Sequence, residues 1–129
     1  MNRPSGSQSR VIVAEDNATN RYVICAMLRG FGVELIVARN GVEAVEMALV
    51  ALPALILMDI NMPKLNGVEA AKRILATPGF ESTPIVAVTA NATLQQEQEC
   101  KAAGFAGFMT KPIDADTFEA RIGKYLIAV

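Results

Sequence analysis

Seven positions in this chain carry side chains that could do chemistry together: Glu15, Asp16, Asp59, Asn61, Thr89, Asn91 and Lys111. The oddest is Asp59, which closes the run LILMD directly after four large apolar residues. A buried strand rarely ends on a carboxylate, because desolvating that charge without a partner costs several kcal/mol or more. Two carboxylates about 4 Å apart repel by roughly 4 kcal/mol at an effective dielectric near 20. Glu15, Asp16 and Asp59 can therefore share one pocket only with cations, and Lys111 supplies a single positive charge. A hard divalent ion supplies the rest, and oxygen-only donors suit Mg²⁺ (or Mn²⁺). Such a cluster is equipped for phosphoryl transfer. An Asp serves as nucleophile, cation and lysine offset charge, and a threonine hydroxyl donates a hydrogen bond.

The chain contains no histidine. A His base, nucleophile or metal ligand is excluded, and any site must be built from carboxylates, hydroxyls, amides, Lys or Arg.

These residues need a scaffold that brings distant positions together. Five apolar runs of strand length, at 11–13, 35–38, 55–58, 85–88 and 105–109, alternate with helix-like stretches. Their near-continuous hydrophobicity suits parallel strands covered on both faces. Val23, Ile24, Met27, Leu28 and Phe31 repeat with helical spacing; so do Val42, Val45, Leu49 and Leu52, and again Phe118, Ile122 and Tyr125. Residues 68–75 read as a third helix and 93–103, rich in Gln and Glu, as a weakly amphipathic fourth. Gly30 and Gly32, Pro78-Gly79 and Gly104 punctuate helix ends, and Asn40 and Asp114 read as N-caps. Five successive βα units imply an α/β fold with a parallel sheet and right-handed crossovers. In such a sheet ligands bind beyond the carboxyl ends of the strands, and Glu15-Asp16, Asp59, Thr89 and Lys111 follow the first, third, fourth and fifth runs.

Composition bounds the rest. A chain of 129 residues with 52% apolar content suits one folded domain. Twelve basic against thirteen acidic residues give no electrostatic case for nucleic acid or an anionic membrane as direct partner. The longest apolar run, residues 47–58, is too short to span a bilayer and is broken by Pro53. Residues 1–9 read as a flexible polar leader without a signal peptide's apolar stretch, leaving a domain at 10–129. Cys25 and Cys100 read as free thiols, and cytoplasm is the expected compartment.

The segments VIVAEDN, LILMDINMP, VTANA and MTKPI, in that order, resemble the receiver domain of two-component response regulators, most closely receivers of hybrid sensor histidine kinases. The resemblance implies a flavodoxin-like (CheY-like) doubly wound sheet of order 2-1-3-4-5 with five helices. It places the phosphoacceptor on Asp59 and the acidic pair on Glu15 and Asp16. Asp16 and Asp59 would ligate Mg²⁺ directly, Glu15 through water, and Asn61 by its backbone carbonyl. Thr89 and Lys111 fall on the family's hydroxyl and lysine, the lysine pairing first with Asp59, before a cis proline at Pro112. Phe108 falls on the aromatic switch position, where receivers often carry Tyr. Asn61 and Asn91 would tune hydrolysis of the acyl phosphate.

The same resemblance implies a phosphohistidine on a histidine kinase or histidine phosphotransfer domain as donor. The chain itself would supply catalysis of its own phosphorylation. Docking is expected on the first helix through Tyr22, Ala26 and Arg29. The switched surface would be the fourth helix, fifth strand and fifth helix. The chain ends soon after the fifth helix, so a fragment of a hybrid kinase without an attached output domain is the expected context. Three alternatives stand beside this reading. An aspartyl-phosphate phosphatase of the haloacid dehalogenase type would need D-x-D-x-T, where this chain has D-I-N-M-P. A flavin binder would need a Ser/Thr/Gly-rich first loop, where EDNATN stands. The third is an interaction module that never takes phosphate.

Overall fold

The structure, a computed structural model, describes residues 9–90 and 92–126. Strands and helices alternate throughout: β1 (Arg10–Ala14), α1 (Ala18–Arg29), β2 (Glu34–Ala38), α2 (Gly41–Ala51), β3 (Leu55–Asp59), α3 (Gly67–Leu75), β4 (Ile85–Thr89), α4 (Leu94–Ala103), β5 (Gly107–Thr110) and α5 (Ala115–Leu126). The strands form one parallel sheet in the order β2-β1-β3-β4-β5. This is the expected doubly wound arrangement.

The pleat divides the core in two. Ile12, Ile56, Met58, Ile85 and Ala87 point to the face covered by α2, α3 and α4, where Ala44, Ala48, Ala70, Ala71 and Ile74 meet them. Val11, Val13, Leu55, Leu57, Val86 and Val88 point to the other face, against Ile24, Leu28, Phe118 and Ile122 of α1 and α5. Since β1, β3 and β4 are covered on both sides, their sequences show no polar alternation.

Helix starts follow the expected chemistry. Asn17, Asn40, Asn66 and Thr93 each accept a hydrogen bond from the backbone three residues on. Asp114 Oδ2 does the same for Thr117, whose N–H and hydroxyl both donate to it. These bonds hold the Asp114 carboxyl below its ordinary pKa.

Four sequence expectations shift. The α2 face is the largest: the buried residues are Gly41, Ala44 and Ala48, while Val42, Leu49 and Leu52 are exposed and Val45 is only half-buried. Small residues win that face because α2 packs close to its neighbours; a Cβ on Gly41 would overlap the Leu65 backbone. Val23 is likewise partly exposed on α1, and Phe31 packs from beyond the helix end. The fifth strand begins at Gly107 rather than at Phe105. Gly104, at φ 98°, closes α4, and the Phe105 N–H bonds back to Cys100 O at 3.0 Å, so Phe105 belongs to the helix cap. At the other end, Ser9 of the expected leader is tied into the sheet, its carbonyl accepting from Glu34 N at 2.8 Å. Cys25 and Cys100 are both buried and free, and burial pushes both thiols up.

Candidate functional site

The carboxyl ends of β1, β3, β4 and β5 form one polar edge. Strand register does the gathering: Ala14 pairs with Met58, so Glu15 and Asp59 leave adjacent strands at the same level. Asp59 pairs with Val88, and the Lys111 N–H bonds Thr89 O at 2.8 Å, which carries the alignment across to β5. Ligand oxygens of Glu15, Asp16 and Asp59 lie within 4.8 Å of one another. Glu15, Asp59 and Thr89 are buried, and Asp16 is exposed.

Lys111 brings an ammonium into this pocket. Its Nζ lies 2.8 Å from Glu15 Oε1 and 3.6 Å from Asp59 Oδ2. The expected pairing with Asp59 is therefore the longer of two contacts. Backbone donors fill part of the remaining need: Asn17 N–H reaches Glu15 Oε2 at 3.2 Å, and Asn61 N–H reaches Asp59 Oδ1 at 3.2 Å. One ammonium among three carboxylates leaves an excess of negative charge. Burial foremost, and then the charge of Glu15, push the Asp59 carboxyl up from its ordinary 3.8 to about 7, against the opposing pull of Lys111 and the Asn61 N–H. A hard divalent cation at this point would remove that excess, and the donor set is all oxygen. The residues present thus fit Mg²⁺.

Of the other expected residues, Thr89 is fully buried at the end of β4. Asn61 is exposed beside Asp59. The Lys111-Pro112 bond is cis, as expected. Phe108 is half-buried in β5, its ring reaching the core under α4. It borders a cleft of about 400 Å³ lined also by Ala92, Glu97, Thr110 and Arg121, and its carbonyl accepts from Arg121 at 3.0 Å. Tyr22, Ala26 and Arg29 are exposed on the side of α1 away from Ile24 and Leu28. Asn91 lies outside the described residues, as do residues 1–8 of the expected leader.

Three contributors escape sequence reasoning. Arg21 donates to the carbonyls of Glu15 (2.9 Å) and Asp16 (3.2 Å), which fixes the acidic turn from the first turn of α1. Gly67 sits against Asp59 so closely that a Cβ would overlap the Asp59 carbonyl oxygen. A small groove of about 140 Å³ opens beside Lys111, lined by Asn20, Val23, Ile24, Pro112 and Ile113. Only Val23 carried a visible hint: a fifth apolar residue on a helix face that already had enough.

A parallel five-stranded sheet of order 2-1-3-4-5, with three carboxylates and a lysine at its carboxyl edge, defines a flavodoxin-like α/β domain with a polar ligand edge. Residues 11–123 match the response regulator receiver domain family, and the chain belongs to it. It is 34% identical over 116 residues to the polar-differentiation response regulator DivK of Brucella anthropi, covering 90% of this chain and 94% of that one. Among solved structures, the receiver domain of sensor histidine kinase PA1611 from Pseudomonas aeruginosa superposes with a TM-score of 0.85 at 31% identity. The match covers 93% of this chain and 98% of that one, and that protein carries a magnesium ion coordinated in its active site cleft. The chemotaxis protein CheY4 of Vibrio cholerae superposes with a TM-score of 0.86 at 28% identity over 93% and 100% of the two chains. The chain is thus a receiver domain of two-component signalling, a family that works with histidine kinases or phosphotransfer proteins. No described helix is long and apolar enough to cross a membrane.

Proposed function

We propose that Asp59 accepts a phosphoryl group from a partner's phosphohistidine and that the acyl phosphate switches a protein-binding surface. The observation that carries this is the convergence of Glu15, Asp16, Asp59 and Lys111 on one pocket. In the transfer, an Asp59 carboxylate oxygen attacks phosphorus, the P–N bond to the imidazole breaks, and the imidazole leaves with the bonding pair. Lys111 stands within reach to follow charge from Asp59 onto the phosphoryl oxygens. Thr89, ending the adjacent strand, serves as hydroxyl donor to the same group. Glu15, Asp16 and Asp59, with the Asn61 carbonyl, would hold Mg²⁺ or Mn²⁺, which supplies positive charge to the transferring oxygens.

The modification replaces a carboxylate by a dianionic group with new acceptor atoms. Thr89 moves to meet it and Phe108 turns toward the space released, altering the surface of α4, β5 and α5. Phe108 lacks a hydroxyl, so its inward position is held by packing alone. The Asn61 and Asn91 side chains set how readily water reaches the acyl phosphate. The donor, on a histidine kinase or phosphotransfer domain, docks across α1 and the segment after β5. Val23, Pro112 and Ile113 give an apolar floor next to Lys111, and Tyr22, Ala26 and Arg29 extend the contact. The domain comprises residues 10–129 and works in the cytoplasm, where such donors have their ATP-driven source.

Incubation with Mg²⁺ and acetyl phosphate, followed by intact mass measurement, tests the proposal. One phosphoryl group is gained by the wild type and none by Asp59→Asn. Absence of any gain under saturating donor and metal would leave an interaction module that takes no phosphate.

A further inference from the structure

The β2 margin of the domain combines two unsatisfied surfaces. β2 ends the sheet, and among the described residues no strand lies beyond it. Its backbone parity follows from two bonds: Glu34 N–H donates to Ser9 O, and Ala38 O accepts from Glu15 N–H. In a parallel ladder alternate residues face the neighbour. Glu34, Ile36 and Ala38 therefore face β1, and the N–H and C=O of Leu35 and Val37 point outward. Side chains of Leu35, Ile36 and Val37 are all only half-buried, so both faces of this edge are apolar and incompletely covered.

Beside the edge stands the outer side of α2. Val42, Val45 and Leu49 repeat at intervals of three and four, the spacing of a helix–helix seam, and Leu52 adds an apolar side chain at the cap just beyond the helix end. That seam is open: Val42 is 39%, Leu49 43% and Leu52 69% exposed. Leu52 even holds a left-handed backbone, φ 52°, where glycine is usual. An open edge strand flanked by apolar side chains is what proteins ordinarily blunt with charge or proline; the stretch 35–38 has neither.

We infer that this margin is the contact surface for a second copy of the chain, joined by antiparallel β2–β2 pairing about a two-fold axis normal to the sheet. The register is self-complementary. With Ile36 opposite Ile36 of the second copy, Leu35 faces Val37 and Val37 faces Leu35. Both outward-facing residues then become hydrogen-bonded pairs, and Leu35, Ile36 and Val37 each meet an apolar side chain, while Glu34 stands opposite Ala38 at the ends of the ladder. The same axis keeps both α2 helices on one side of the joined sheet. α2 lies over β1 and β2, about one strand spacing (~4.8 Å) from that axis. The two helices would stand roughly 10 Å apart, the separation at which helices pack. One symmetry operation thus satisfies the strand edge and the helical seam together, which is why a second copy is favoured over an unrelated helix or strand. The contact lies on the opposite side of the sheet from β5, so it is independent of the phosphorylation state.

Sedimentation equilibrium of the full chain across micromolar to near-millimolar concentration, with and without acetyl phosphate and Mg²⁺, tests this. The expected result is a monomer–dimer equilibrium equal in both conditions. It should weaken about tenfold or more in Leu49→Glu and in Val37→Pro; the proline removes an outward N–H that β1 does not use, together with part of the Val37 packing, so Leu49→Glu is the variant that leaves the strand intact. A separate variant, Ile36→Cys, should cross-link to a covalent dimer under mild oxidation, because opposed residues of a non-hydrogen-bonded pair lie within disulfide reach; the wild type, with its buried Cys25 and Cys100, should not. A wild type that stays monomeric throughout would overturn the inference. So would a dimer that forms only with phosphodonor, or an Ile36→Cys protein that does not cross-link.

Discussion

Asp59→Asn should stabilise the metal-free protein, and the gain should grow with pH. Burial and Glu15 raise the Asp59 carboxyl from an ordinary 3.8 to about 7. The folded state therefore binds a proton more tightly than the unfolded chain does. Between those two values the native protein holds more protons, so stability falls as pH rises, and the loss is complete above about 7. A tenfold difference in proton affinity is worth about 1.4 kcal/mol, so the distance from 3.8 to about 7 amounts to about 4 kcal/mol over the whole range. Most of that total, about 2 to 3 kcal/mol, falls within the accessible window from about pH 5 to about pH 8. Asparagine does not titrate, so the variant lacks this dependence on pH. The difference in unfolding free energy between Asp59→Asn and wild type should accordingly widen by about 2 to 3 kcal/mol across that window, on the order of 10 °C in Tm for a domain of this size. Urea denaturation in EDTA at several pH values measures it directly. Saturating Mg²⁺ should narrow the gap, because a ligand bound only by the folded wild type stabilises that protein alone. A gap that stays constant across pH in EDTA would refute the reasoning about buried charge at Asp59.

Other residues lead to sharper separations between stability and function. Lys111→Met leaves Glu15 and Asp59 without their ammonium and should slow acetyl phosphate labelling about 10²-fold, read by the time course of intact mass. Gly67→Ala puts a methyl group into the Asp59 carbonyl and should cost at least about 2 kcal/mol in urea denaturation. Thr93→Ala removes the acceptor that holds Gln96 N–H at 3.0 Å and should cost about 1 kcal/mol while leaving labelling intact. Val23→Glu should slow transfer from a phosphohistidine donor about tenfold and leave labelling by acetyl phosphate unchanged; equal slowing with both donors would place the defect in the pocket rather than in docking.

The polar edge was legible because its signal is categorical. A carboxylate after LILM, an acidic pair after VIVA, and a lysine before proline are positions where polar chemistry interrupts an apolar strand. Parallel register then has little freedom to scatter them. The sheet order followed from the resemblance those same segments carry. Helix faces were less legible. On α2 the larger side chains Val42, Leu49 and Leu52 outscore Ala44 and Ala48 on any hydrophobic count, yet the close packing around Gly41 selects the small residues for burial. Size complementarity with neighbouring elements is not written in one helix's periodicity. The start of β5 was misplaced for a local reason: Phe105 is apolar and buried, but its N–H is committed to the cap of α4. Arg21 left no mark, since a guanidinium that serves two backbone carbonyls looks like any solvated arginine.

The assignment of Asp59 as phosphoacceptor is reached most directly by borohydride reduction of the acyl phosphate. After labelling with acetyl phosphate and Mg²⁺, reduction converts a phosphorylated aspartate to homoserine, and peptide mass mapping locates it. Homoserine should appear at position 59 alone. Homoserine at another carboxylate, or at none while intact mass still rises, would contradict a pocket built around Asp59.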